Sequence, residues 1–379
     1  MEQPSEPAQN QCGEPVPPPS GEPAPVQSGE PIPPPSGRPV LAGILAALVG
    51  FTSSSAVVLA GLRGVGASPA QAASGLLAVC VTQALGILWL VRRHRIPLTL
   101  AWSTPGAALL ASTGVVLDLC LVPVRGFAGH PWLVGPIVVT WVVMLRLARR
   151  WAVPAAFAVT LVVVALDAAR RAGPLGSVLP HLTWTAPTMT WASLLSLAIP
   201  LYIVTMAGQN VPGVAIMASY GYQVPWREAM TVTGAGTAAG AVAGGHVINL
   251  AAITASMAAS PDADPDPGRR WMASWTAGWA YLVLAAFSAA ITVFFGAAPA
   301  DVAGAVAGLA LLATLSSALA GALTAAEGRE AAAITFVVAA SGLTFLGIGA
   351  AFWALAAGLL IRLVTGHSPR SGRRPDSAR

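Results

Sequence analysis

The sequence predicts an all-α integral membrane protein of about twelve spans, and three observations carry that prediction. Of the 379 residues, 55% are hydrophobic and only 9% charged, with a mean hydropathy of +0.69, whereas a soluble domain carries about 25% charged residues. The apolar residues gather into runs of the length a hydrocarbon core of about 30 Å demands, roughly 20 residues per helix. The arginines between those runs are distributed unequally, as membrane topology requires.

The runs are 39–62, 68–91, 97–124, 131–147, 151–168, 192–211, 228–243, 245–259, 271–296, 301–324, 330–347 and 349–366. With the N-terminus inside, the inside segments hold sixteen arginines, among them Arg92, Arg93, Arg149, Arg150, Arg269 and Arg270. The outside segments hold four: Arg63, Arg125, Arg170 and Arg171. Both termini are therefore expected on the cytoplasmic side of the membrane. All 20 basic residues are Arg, and the net charge of +5 is a topology signal rather than nucleic-acid affinity.

Residues 1–38 repeat Ser-Gly-Glu-Pro units among Pro runs and have little to bury, which predicts a disordered, Pro-rich cytoplasmic tail. Residues 39–366 form the transmembrane domain, and 367–379 a short basic tail. Cys12, Cys80 and Cys120 are too far apart for a zinc site or a disulfide framework, so Cys80 and Cys120 read as small apolar fillers.

Two runs are irregular. "RIPLTLAWSTPGAALLAS" (95–112) begins β-like, breaks at Ser103-Thr104-Pro105-Gly106 and resumes as an Ala/Leu helix. "GGHVINLAAITASMAAS" (244–260) repeats the pattern around Asn249. Ser103 or Thr104 can cap a helix starting near Pro105, and Asn249 can cap the helix after it. If the two helix starts face each other, their N–H groups and dipoles form an anion site. The plainer reading is a pair of packing kinks with ordinary caps.

Gln209 and Asn210 stand side by side in "TMAGQNVPGVAI". Such amides either wall a substrate cavity or hold neighbouring helices together, and Pro212-Gly213 should unwind or kink the helix just beyond them. His246 can carry a proton near physiological pH, or simply donate to a backbone carbonyl. Asp118 lies within an apolar run and is a second proton candidate, while Asp167 borders a polar loop and ends its helix. "SPDADPDPGRRW" lacks the Gly and distal Glu of a calcium loop and reads as a stiff connection without metal. No nucleophile–base constellation, phosphate loop or dinucleotide fingerprint occurs, so neither an enzyme nor a cofactor is expected.

"LVGFTSSSAVV", "LTLAWSTPGAALLAS", "PLYIVTMAGQNVPGVAI", "GGHVINLAAITAS", "PDPGRRW" and "AAAITFVVAASGLTFLGIGAAFWALAAGLL" together resemble the benzoate:proton symporter family of bacterial inner membranes, the BenE-type carriers, over about residues 39–366. The resemblance implies a secondary carrier that imports benzoate with a proton. It also implies a fold like that of uracil permeases and sulfate carriers, with two inverted repeats of seven helices whose third and tenth members are part strand and part helix. The breaks at 97–112 and 245–259 match those two members, and Gln209-Asn210 falls on the site-lining eighth helix. This chain departs from the family after "AWSTPGAALLAS", where Thr113 leads at once into "GVVLDLCLVPVRG", which is similar to the end of the fifth helix. One helix-equivalent and part of another are thus missing from the first repeat.

Under this resemblance the substrate carboxylate is expected between Ser103, Thr104 and Gly106 on one side and Asn249, Ala251 and Thr254 on the other. Its ring would lie against apolar side chains of 51–58 and 205–216, with Gln209 and Asn210 orienting it. His246 is the leading proton-coupling residue and Asp118 the second. The implied partners are a small aromatic carboxylate, protons and membrane lipid, with a homodimer allowed and no nucleic acid. The alternatives are a transport-inactive family member, or a carrier of another small anion or a nucleobase.

Overall fold

A computed structural model of the chain describes residues 37–111, 116–171, 178–186, 188–324, 328–346, 348 and 350–365. The chain divides into Met1–Pro35 and Ser36–Arg379. The Pro-rich segment, the basic tail and the junction just after Ala111 lie outside the described residues.

Helix α1 (Arg38–Gly64) begins with Pro39 in its first turn, where a missing N–H is harmless. Helix α2 (Pro69–His94) starts with a capping box: Gln71 N donates to Ser68 Oγ, and Ser68 N donates to Gln71 Oε1. Strand β1 (Leu100–Trp102) passes directly into α3 (Thr104–Ala111), followed by α4 (Val116–Gly129), α5 (Pro131–Leu147) and α6 (Ala152–Arg171). A continuous helix Trp191–Ser219 consists of α7 (Trp191–Ser193), α8 (Ile199–Thr205) and α9 (Val211–Ser219), joined by π-turns at Leu194–Ala198 and Met206–Asn210. Then come α10 (Trp226–Ala241), β2 (Ile248–Leu250), α11 (Ile253–Ala259), α12 (Trp271–Ala286), α13 (Ser288–Ala297), α14 (Ala300–Thr324), α15 (Arg329–Ala340) and α16 (Ala350–Thr365).

Among the described residues four helices are long and apolar enough to cross a membrane, or five counting α12–α13, a pair bent by 52°. Several runs that look single in sequence are divided. Run 97–124 becomes β1, α3 and α4, and run 330–347 is helical only to Ala340, then turns to a bridge between Phe345 and Ile348. Hydropathy registers apolar side chains but not where backbone hydrogen bonding breaks, so adjacent short helices merge when read from sequence.

Of the two expected outcomes, unwinding or a kink, Pro212 does not unwind its helix. Proline removes an N–H and crowds the carbonyl four residues back. The chain answers with the π-turn at Met206–Asn210, in which Val211 N donates five residues back, to Met206 O. The helix then runs on through Pro212 and Gly213. A Cβ at position 213 would sit 3.0 Å from both Ala251 O and Leu250 Cβ, so glycine is what lets this helix touch the segment following β2.

Strands β1 and β2 pair antiparallel, with Leu100 opposite Leu250, Ala101 opposite Asn249 and Trp102 opposite Ile248. Opposed residues share a face, so Leu100, Trp102, Ile248 and Leu250 project together into the main core, where all four are buried. Trp102 meets Phe51 of α1 at 5.8 Å and Tyr281 of α12 at 6.2 Å, both edge-on. Phe51 continues the chain of rings to Phe157, which meets Phe295. These rings fix the ribbon against α1, α6, α12 and α13.

Replacing Trp102 with Ala removes the ring at the head of that chain and should cost about 3–5 kcal/mol. Trp102→Phe should retain most of the stability. Thermal unfolding of the detergent-purified protein reads both, and an unchanged midpoint for Trp102→Ala would show that the ring does not anchor the ribbon.

Candidate functional site

A strand at membrane depth has no water to satisfy its outward N–H groups, so protein must supply every partner. Beyond the three paired positions, the ribbon is extended by Ser103 N to Val247 O (2.9 Å) and Ala251 N to Thr99 O (3.0 Å). The N–H groups of Ile248 and Leu250 point to the outer edge of β2. Thr237 Oγ1 of α10 accepts the first at 3.1 Å, and Asn210 Oδ1 accepts the second at 2.9 Å. The side chain of Asn210 is therefore engaged with the ribbon, and its Nδ2 faces Met206 Sδ at 3.1 Å.

Because β1 and β2 are antiparallel, α3 and α11 leave the ribbon from opposite ends. Four residue steps separate Thr99 from Ser103, about 13 Å at roughly 3.3 Å per step. A carboxylate between the two helix starts would therefore not touch both directly.

The α3 start is also largely satisfied by its own residues. Ser103 is the cap: Gly106 N donates to Ser103 Oγ (3.2 Å) and Ala107 N to Ser103 O (2.7 Å), while Pro105 has no N–H to offer. Ser103 Oγ also meets Thr205 Oγ1 at 2.7 Å, and Thr104 Oγ1 donates to Ser54 Oγ at 2.8 Å. At the other end, Thr254 Oγ1 meets Thr99 Oγ1 at 3.1 Å.

Asn249 differs from its expected role. Sequence reading makes it a helix cap, but it lies within β2, and α11 begins four residues later behind Ala252 with no side-chain cap. Its side chain is 0% exposed, and neither Oδ1 nor Nδ2 has a hydrogen-bond partner among the described residues. A buried amide without partners costs about 1–3 kcal/mol. Ala101, directly opposite, is only partly buried.

The remaining expected residues divide. His246 is buried, and its Nε2 donates to Ser103 O at 2.9 Å, which joins the approach to β2 to the cap of α3. Gln209 is half-buried and stands one residue, about 100° of helix rotation, away from Asn210. The described structure gives its side chain no ribbon contact. Asp118 is on α4, with its side chain outside the described residues. Of the 51–58 segment, expected against the ring, Phe51, Val57 and Val58 are buried in the core. α1 presents the Phe51 ring to Trp102 of the ribbon and the Ser54 hydroxyl to Thr104 at the start of α3. Thr99, Thr205, Thr237 and Ser54 were missed; the one signal was the unbroken Thr52–Ser55 hydroxyl run inside an apolar helix.

A cavity of about 380 Å³ opens beside His246, lined also by Gln71, Thr185, Thr237, Leu197 and Leu201. That volume is within the range of small-molecule pockets, about 300–1,000 Å³. The Asp-rich loop is held by Arg270, which donates to the carbonyls of Asp264, Ala259 and Pro265 and so closes the C-terminal end of α11.

Comparison with known proteins gives a consistent picture. The family model for BenE, benzoate membrane transport protein, matches residues 34–114 and 111–364. The chain is 35% identical over 367 residues to the inner membrane protein YdcO of Escherichia coli (strain K12), covering 84% of this chain and 93% of that protein. It is 26% identical over 366 residues to the benzoate membrane transport protein of Acinetobacter baylyi, with the same shares covered. Since 84% of 379 residues is about 318, roughly 49 of the 367 aligned positions in the first comparison stand opposite no residue of this chain. Among solved structures, the SLC26A9 fold is similar at a TM-score of 0.52 and 12% identity, covering 86% of this chain and 65% of that one.

Asn210→Leu should leave the Leu250 N–H buried and unpaired, at a cost of about 1–3 kcal/mol. Asn210→Asp, which keeps an acceptor, should cost less. Hydrogen exchange at the Leu250 amide distinguishes the cause: faster exchange in the Leu variant than in the Asp variant is expected, and equal rates would remove Asn210 from the ribbon edge.

Proposed function

Since the chain belongs to the BenE family of benzoate membrane transport proteins, we propose that it is a secondary carrier importing benzoate, or a similar aromatic carboxylate, with protons across the bacterial cell membrane. The observation that carries the reading is Asn249, whose amide is fully buried on the central ribbon with no partner among the described residues. In the proposed cycle, Asn249 Nδ2 donates to the substrate carboxylate when one half of the carrier rocks away from the other and opens a path to the ribbon. The hydroxyls of Thr99 and Thr254 lie at the α11 end of the ribbon, and those of Ser103 and Thr104 at the α3 end. The cavity beside His246 is the approach, with Leu197 and Leu201 offering apolar surface to the ring. The carrier domain is residues 39–366, with the two tails outside it.

Proton coupling is assigned to His246. With Nε2–H donated to Ser103 O, the ring's free lone pair is on Nδ1, which is where a proton would bind. The resulting cation favours a carboxylate in the adjacent cavity, and loss of the proton on the other side releases it. The two strand–helix units, β1–α3 and β2–α11, run in opposite directions and pair at one ribbon, which is the arrangement two inverted repeats generate. This supports the seven-plus-seven architecture.

A second reading, a family member that binds without transporting, has its own supporting observation. The family match falls into two segments that meet at residues 111–114, where sequence reading places the lost helix.

Labelled benzoate uptake into proteoliposomes should rise with an imposed inward proton gradient; uptake indifferent to the gradient removes symport, and binding without flux favours the second reading. Asn249→Leu should reduce uptake about 10- to 150-fold, as loss of a hydrogen bond to a charged group does. The same variant should melt at or above the wild-type temperature, because an apolar side chain relieves the unpaired amide. Full uptake by Asn249→Leu would remove that residue from the site. His246→Gln should keep a donor toward Ser103 O yet abolish the response to the gradient, with benzoate binding retained.

A further inference from the structure

A second cavity, of about 500 Å³, lies apart from the ribbon and has no part in the proposed transport. Its walls come from the start of α1, the α5–α6 connection, the end of α11 and the loop beyond it. Two guanidiniums, Arg38 and Arg150, and one carboxylate, Asp262, line it together with Ser260. None of the three charged side chains has an ion pair or hydrogen bond with another described residue.

Position gives the cavity its chemistry. Arg38 is the first residue of a 27-residue membrane-length helix, and Arg150 is the second residue of the 22-residue stretch 149–170. Both guanidiniums therefore sit at the end of a span, at the level of lipid headgroups. Leu41 and Met257 add apolar surface to the wall, and Leu41, three residues into the membrane-length helix, is 58% exposed. The cavity thus presents charge at the headgroup level and an open apolar flank at the acyl level. Its formal charge is +1, two arginines against one aspartate.

We propose that this cavity binds the headgroup of a monoanionic glycerophospholipid. The phosphate is held between Arg38 and Arg150, a hydroxyl at the far end of the headgroup donates to the Asp262 carboxylate, and an acyl chain lies along Leu41. A free phosphate ion would satisfy the arginines but would leave Asp262 repelled and the apolar flank uncovered. A bound lipid would also link α1 to the end of α11, the helix leaving β2.

The test uses the full chain purified in detergent, titrated with phosphatidylglycerol, phosphatidylcholine or inorganic phosphate, with melting temperature and native mass spectrometry as readouts. Phosphatidylglycerol is expected to raise the melting temperature and to appear as one retained adduct, with phosphatidylcholine and phosphate giving neither. Arg38→Gln and Arg150→Gln should each weaken phosphatidylglycerol binding about fivefold, the contribution of one arginine near an anionic headgroup. Arg227→Gln, an exposed arginine outside the cavity, should not. Asp262→Asn should narrow the preference for phosphatidylglycerol over phosphatidic acid. If either arginine variant folds poorly, Arg38→Lys and Arg150→Lys keep the charge and should bind more weakly than wild type but more tightly than the Gln forms. Equal binding by wild type and both Gln variants overturns the proposal, as does an equal effect of phosphatidylcholine. A shift given by inorganic phosphate alone would make it a phosphate site and refute the lipid.

Discussion

The constraint from which the rest of the structure follows is that a two-stranded ribbon, placed where water cannot reach, must have every outward N–H satisfied by protein. Three paired residues per strand cannot close their own edges. The far edge of β2 is closed by one oxygen from α10, on Thr237, and one from the Trp191–Ser219 helix, on Asn210. These bonds place both helices. They explain why an amide stands at 210 and why glycine follows at 213, where the helix comes against the Ala251 carbonyl. Trp102 and the aromatic chain behind it hold the other face of the ribbon, so it is fixed on two sides at once.

With that edge closed, Asn249 stands out. Several polar groups around it have partners: Ser103 with Thr205, Thr104 with Ser54, Thr99 with Thr254, His246 with the Ser103 carbonyl. Asn249 alone among these has none. A site selected for stability would carry Leu or Val there. Retaining an amide at a position where it weakens the fold is the pattern expected of a group whose partner arrives from outside.

Much of this was legible in the sequence, and the failures have physical causes. The two breaks and the Ser103 cap depend on local chemistry, a hydroxyl three residues before a free N–H, and local patterns reveal them; that His246 can donate to a carbonyl is equally legible, but its partner, Ser103 O, lies 143 residues away. Asn249 was misread because capping and strand edges use the same residue type, and only the register with Ala101 separates them. The helix is not unwound at Pro212 because a proline's cost can be met by widening the preceding turn as well as by breaking the helix. Thr99, Thr205 and Thr237 were invisible because their partners lie 155, 102 and 11 residues away along the chain. Run 97–124 merged three elements because composition does not change where the hydrogen bonding does.

The opposed exits of α3 and α11 from the ribbon have an electrostatic consequence. Two helices set with their amino ends inward form a linear quadrupole, positive at the centre and negative at both extremities, with little net dipole along the line joining them. As a charge distribution the framework therefore favours neither side of the membrane. Whatever direction the flow takes must come from concentration and voltage across the bilayer, and reversing those should reverse it.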